Sequence, residues 1–191
     1  MSKFLKGYSV SKFKKRKPYS DSSFDTAQEI KQLAKIPMNK KFVVEKDDMP
    51  SSFKKTAKSV GVDYPSKDIK NLLKESDPFI MELKNHFDRP RPKAVAKKIG
   101  VKLDNIELDT MKTPSYPSGH SAQGYLIGNY LADKNPKAKK AFMKTAKDIS
   151  YSRNVARAHY KSDSKFGEEL GKDMFDFMKN KNNGKTNRWG Y

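Results

Sequence analysis

Apolar residues along this chain recur at helical spacing, and no stretch alternates as a half-buried strand would. Ile30, Leu33 and Ala34 form a stripe behind Thr26, which with Glu29 makes a capping box, and Pro37 closes the segment. Further helices are predicted over 51–60, stopped by Gly61, over 66–75 with Ser66 as N-cap, and over 78–87. In the last of these Asp77-Pro78 supplies cap and first turn, and Phe79, Ile80, Leu83 and Phe87 share a face. A short helix over 93–99 ends at Gly100, and 101–118 is irregular, with Pro114 and Pro117 marking a loop. Helix resumes at Gly119 and runs to about Ala132, and another spans about Pro136 to Ala158. The second carries Ala138, Phe142, Thr145, Ile149, Ser152 and Ala156 inward, which puts polar Ser152 on an apolar seam. The last helix, about 163–179, lines up Phe166, Leu170, Met174, Phe177 and Met178. The pattern predicts an all-α protein, one compact helical bundle.

Composition changes this picture mainly at the ends. The 191 residues suffice for one domain with a real core, here placed at 21–180. Residues 1–20 pack Lys12, Lys14, Lys15, Arg16 and Lys17 just before Pro18 and read as a solvated basic tail, or as a docking segment for an acidic partner. Residues 181–191 read as a polar tail, from which Trp189 and Tyr191 are placed to dock on the body. The formal charge of +19 favours anionic partners and brings non-specific contact with nucleic acid through the basic tail. The charged start is followed by no apolar signal-peptide core, and no run of about eighteen apolar residues could cross a bilayer. The expectation is therefore a cytoplasmic protein with no membrane partner. Monomer and homo-oligomer both remain open. Without cysteine there is neither a disulfide framework nor a thiolate metal site.

Only six of the 41 basic residues are arginine, and four of these fall in 89–91 and 153–157. Arginine is the cation suited to bidentate phosphate capture, so that clustering matters. Pro117-Ser118-Gly119-His120 stands at a loop-to-helix transition, where free N–H groups and a glycine admit an oxyanion. Ser118 adds a hydroxyl donor, and His120 could protonate a leaving oxygen. The plainer reading is a serine N-cap beside an incidental histidine. His159 lies four residues before Asp163; on continuous helix both would share a face, the carboxylate fixing the Nδ1 proton and leaving Nε2 free to attack. Arg153 adds a planar fork, although a surface His–Asp pair beside a helix arginine has the same spelling. Lys84 with Arg89-Pro90-Arg91-Pro92 brings cations of different reach towards one anion, or is a solvated helix end. His86 is left as structural. Gly184-Lys185-Thr186 imitates the end of a P-loop, but Lys179 stands where its first glycine belongs.

Taken together, these stretches resemble the signature of the type 2 phosphatidic acid phosphatase (PAP2) and vanadium haloperoxidase superfamily: K-x6-R-P, then P-S-G-H, then S-R-x5-H-x3-D. Lys84, Arg91 and Pro92 fill the first part, Pro117 to His120 the second, and Ser152, Arg153, His159 and Asp163 the third. Order and spacing match over 84–163. The family spacing selects Arg91 over Arg89, which is left as an auxiliary cation. The resemblance implies a helical bundle of the PAP2/haloperoxidase type, similar to the soluble acid phosphatases. It implies His159 as nucleophile, oriented by Asp163, and His120 as general acid and then base. Lys84, Arg91, Ser118, Gly119 and Arg153 would hold the phosphoryl oxygens, with no metal and no cofactor. The expected intracellular location and the anion-attracting surface point to a nucleotide or another small phosphomonoester as substrate. A vanadium-dependent haloperoxidase shares the same oxyanion cage, and a nucleic-acid binder on an inactive phosphatase body is the third reading.

Overall fold

The computed structural model describes the backbone of residues 3–186 and the side chains of residues 3–181. Among these residues there is no strand; eight α-helices and three short 3-10 turns account for the regular structure. The helices are α1 (Phe24–Ala34), α2 (Lys40–Asp47), α3 (Met49–Ser59), α4 (Ser66–Phe87), α5 (Pro92–Lys98), α6 (Gly119–Lys134), α7 (Lys139–Val155) and α8 (Lys161–Thr186). No helix among the described residues is long and apolar enough to cross a membrane.

The centre is α6, sandwiched between α7 and α8. Ala122, Leu126, Ile127 and Leu131 are fully buried there, joined by Phe142, Ala146 and Ile149 of α7 and Leu170 and Met174 of α8. Two glycines of α8 let its backbone lie directly on α6. A Cβ at Gly171 would stand 2.1 Å from the Ala122 carbonyl oxygen, and one at Gly167 2.4 Å from that of Ser118. Since the neighbours are main chain, no rotamer change relieves either clash. This close approach seats the first turn of α6 against the first turn of α8, where Ser118 N–H donates to the Asp163 carbonyl at 3.1 Å.

Several sequence expectations change. The segments 66–75 and 78–87 are one helix, α4, running through Pro78. The proline lies on the solvent side, and Ile69, Leu72, Ile80 and Leu83 keep one buried face across it. Gln123 of α6 braces the turn before, donating to the Leu73 carbonyl and to Ser76 Oγ, each at 3.2 Å. The N-cap of α1 is Ser23, which accepts from Thr26 N–H, so the capping box read at Thr26 is displaced by three residues. α4 begins at Ser66 with Pro65 as N-cap, and α2 has no counterpart in the sequence reading.

The largest correction concerns residues 1–20. From residue 3 onwards this segment is not a solvated arm: Phe4, Leu5, Tyr8, Val10 and Phe13 are buried in the main core. Glu75 accepts the backbone N–H groups of Lys3, Phe4 and Leu5 at 2.7–2.8 Å, while Tyr8 and Lys12 reach Asp173. Lys14 pairs with Glu82 and Arg16 with Glu169. Apolar residues spaced to dock are interleaved with the run of lysines, and acids of α4 and α8 answer part of its charge. At the other end α8 continues to Thr186, so Gly184-Lys185-Thr186 is helical, while Trp189 and Tyr191 lie outside the described residues.

Candidate active site

His159 does not sit on a continuous helix. α7 ends at Val155, and the chain turns through Arg157, whose φ of 56° is left-handed, before α8 starts. Arg157 ties that turn down by donating to the carbonyls of Ala34, Ile36 and Asp104. Tyr160 acts as the N-cap of α8, and Asp163, three residues on, reaches back to accept its N–H at 3.0 Å. This is the acidic half of a capping box. The four-residue spacing thus brings His159 and Asp163 together through a helix start, not through a shared helical face. His159 Nδ1 lies 3.4 Å from Asp163 Oδ2.

Asp163 is fully buried and saturated with donors. Besides Tyr160 N–H and His159, Oδ2 accepts from Ser115 Oγ, and Oδ1 accepts from Arg89 at 2.6 Å. Arg89 continues to Glu29 at 3.2 Å and lies 3.7 Å from the Tyr160 ring centroid. Glu29 in turn accepts the N–H and hydroxyl of Ser162. Arg89, kept from the sequence as an auxiliary cation, is thus committed to the far side of the aspartate. Burial pushes the Asp163 carboxyl up to about 6 against the pull of Arg89.

On the other side of the imidazole, Arg91 NH1 lies 2.9 Å from His159 Nε2. A guanidinium can only donate, so Nε2 is the acceptor and the ring proton sits on Nδ1, facing Asp163. Nε2 carries the lone pair a nucleophile needs, but it is shared with Arg91 and not free. Arg91 also donates to the carbonyls of Thr113 and Ala158 at 2.9 and 2.8 Å. Burial holds the imidazole well below its usual pKa, and the charges of Arg91, Lys84, Arg153 and His120 push it further down, in that order.

Lys84, in the last turn of α4, is buried with its Nζ on the Pro114 carbonyl. Burial, reinforced by Arg91, lowers it from 10.5 to about 7. Gly119 opens α6 next to it, a Cβ there standing 3.9 Å from Lys84 Cε, so packing alone would tolerate alanine. As first residue of the helix, its N–H is among those with no intrahelical partner. Ser118 is the N-cap of α6, accepting from Ser121 N–H at 3.3 Å and from the Ser121 hydroxyl at 2.9 Å. Its hydroxyl is therefore engaged in the helix start as well as placed beside the site.

Arg153 and His120 converge on a residue the sequence did not single out. Arg153 NH1 donates to Asp47 Oδ1 at 2.6 Å, and His120 Nε2 is 3.0 Å from the same oxygen. Asp47 ends α2, a helix of mostly exposed polar residues with little apolar pattern to announce it. Ser115 and Glu29 were also missed, since their roles arise only from tertiary contacts. Ser152 is fully buried, its hydroxyl on the Ile149 carbonyl, and holds the α7 seam beside Arg153. Among the described residues no group of three or more His, Cys, Asp and Glu is placed to hold a metal ion. A surface groove of about 790 Å³ between Val60, Val62, Pro136, Ala138 and Ala141 contains none of these residues. No protein-family model and no curated protein matches the chain.

Proposed function

We propose that this chain is a phosphatase of the PAP2/haloperoxidase type, hydrolysing phosphomonoesters, nucleotides among them, through a phosphohistidine at His159. The observation that carries the reading is the buried imidazole held between Asp163 at Nδ1 and Arg91 at Nε2, with the charges of Arg91, Lys84 and Arg153 keeping the ring neutral. Phosphoryl transfer is mostly positioning and charge stabilisation, and such an arrangement supplies both.

In the proposed reaction the phosphoryl oxygens draw Arg91 and Lys84 from their backbone acceptors, releasing Nε2. Nε2 attacks phosphorus as the P–O bond to the leaving group breaks, and His120 protonates the departing oxygen. The imidazole becomes cationic at this step, and Asp163 offsets that charge. Water then attacks the phosphohistidine, giving its proton to His120, and inorganic phosphate leaves with His159 restored. Residues around the ring neutralise the charge a metal would otherwise meet.

The test is phosphate release from a panel of nucleotides and sugar phosphates in EDTA, with and without orthovanadate. Turnover, its inhibition by vanadate and its loss in His159→Ala are expected. No release from any substrate, or full activity in His159→Ala, would overturn the reading. Bromide oxidation with peroxide and added vanadate, in place of hydrolysis, would move it to haloperoxidase chemistry.

A further inference from the structure

Arg153, assigned above to the phosphoryl oxygens, and His120, assigned as the acid, are both held by a carboxylate of the protein itself. Asp47 Oδ1 takes Arg153 NH1 at 2.6 Å and lies 3.0 Å from His120 Nε2. Thr110 joins them, its hydroxyl donating to the same oxygen and accepting from Arg153 NH2, each at 3.2 Å. A carboxylate oxygen and a phosphoryl oxygen want the same donors in the same plane. With His120 as the largest influence and Arg153 behind it, the carboxyl is held down to about 2, so it is an anion throughout the range in which the protein would work.

The mounting of Asp47 differs from that of Asp163. Its side chain keeps a quarter of its accessible surface, whereas that of Asp163 keeps none. It stands at the end of α2, where Val43 is the one fully buried side chain and Lys40, Lys41, Val44 and Glu45 face solvent. An element with so little buried apolar surface opens at low free energy. The anchor of α2 is therefore weak where the anchor of α8 is strong.

We propose that Asp47 is an affinity-determining residue, an internal anion that competes with the substrate's phosphoryl group for Arg153 and His120 and withdraws with α2 as substrate enters. The proposal rests on the phosphatase reading. It inverts the ordinary expectation for a site carboxylate, which is that it orients its partners and that its removal weakens binding.

The experiment is titration of inorganic phosphate into the full chain by calorimetry, together with KM and kcat for a phosphomonoester. Asp47→Asn and Asp47→Ala should each bind phosphate about tenfold more tightly, the scale of one lost charge-assisted competitor at a partly exposed site. KM should fall by a similar factor with no matching rise in kcat. Val43→Ala, which loosens α2 and leaves the carboxylate in place, should shift affinity in the same direction by a smaller factor. Thermal unfolding without phosphate checks that each variant is folded. Unchanged or weaker phosphate binding in the Asp47 variants, with hydrolysis by the wild type intact, would overturn this proposal alone. No phosphate binding and no hydrolysis by any of the proteins would overturn the phosphatase reading and this one with it.

Discussion

Two trios of carboxylate, histidine and arginine stand in this molecule: Asp163 with His159 and Arg89, and Asp47 with His120 and Arg153. Their composition is the same, and burial separates them. Asp163 is enclosed, so desolvation outweighs Arg89 and the carboxyl rises to about 6. Asp47 lies at the rim, where His120 and Arg153 outweigh a milder desolvation and hold it at about 2. The inner trio is braced by Ser115, the Tyr160 N–H, Glu29 and Ser162. The outer one hangs on a short helix with one buried side chain. Identical chemistry serves as a fixed scaffold in one place and as an exchangeable contact in the other.

The sharpest way to break the comparison is to remove each histidine. His159→Ala should lower kcat to background, a loss of roughly 10⁴-fold or more, since it removes the proposed phosphoryl acceptor itself. His120→Ala should cost roughly 10²- to 10⁴-fold, the usual range for a general acid, and less for a substrate whose leaving group needs no proton. Steady-state rates on an activated aryl phosphate and on an alkyl phosphate separate the two. Equal losses on both substrates for His120→Ala would remove its assignment as acid.

The carboxylates should differ in stability. Asp163→Asn leaves Arg89 buried without its closest anion and should cost about 3–5 kcal/mol in urea unfolding. Asp47→Asn should cost less, about 1–3 kcal/mol: the buried Arg153 loses its anion, but a quarter of the Asp47 side-chain surface is open to water. Similar losses at the two positions would mean that the outer trio is as fixed as the inner one.

The smallest effect is in the pH profile. The inner trio works only with Asp163 ionised, so kcat/KM should rise as pH increases through about 6. Lys84 must carry its proton to hold a phosphoryl oxygen, so kcat/KM should fall as pH increases through about 7. Lys84→Arg, charged throughout, should retain the acid limb and lose the alkaline one. The same lysine affects stability with a fixed sign. Its folded pKa is depressed, so its contribution is present above about 10.5 and is lost as pH falls through about 7, where the unfolded chain has already taken up the proton. Unfolding free energy measured between pH 7 and 10 in the wild type and Lys84→Met checks this.

Much of this arrangement was legible along the chain because it is local. Helix faces such as Phe142–Ile149 and Phe166–Met174 follow from periodicity, and the four-residue spacing of His159 and Asp163 anticipates their contact. What stayed hidden was tertiary. Arg89 and Arg91 sit two residues apart with opposite assignments, because Arg89 meets Glu29 and Asp163 behind the ring and Arg91 meets Nε2 in front of it. Asp47 is one acid on a polar helix until Arg153 arrives from 106 positions further on. In the N-terminal segment the charge is visible along the chain, but the surface on which Phe4, Leu5, Tyr8, Val10 and Phe13 pack exists only in the folded core.

The central claim is that His159 is a phosphoryl acceptor, and trapping the intermediate tests it most directly. The protein is mixed with a ³²P-labelled phosphomonoester, quenched within milliseconds in alkali, and the protein-bound label is mapped by peptide. A label stable in alkali and labile in acid is expected on the peptide containing His159 and absent from His159→Ala. Hydrolysis that proceeds with no label on that peptide, or a label that persists in His159→Ala, would contradict it.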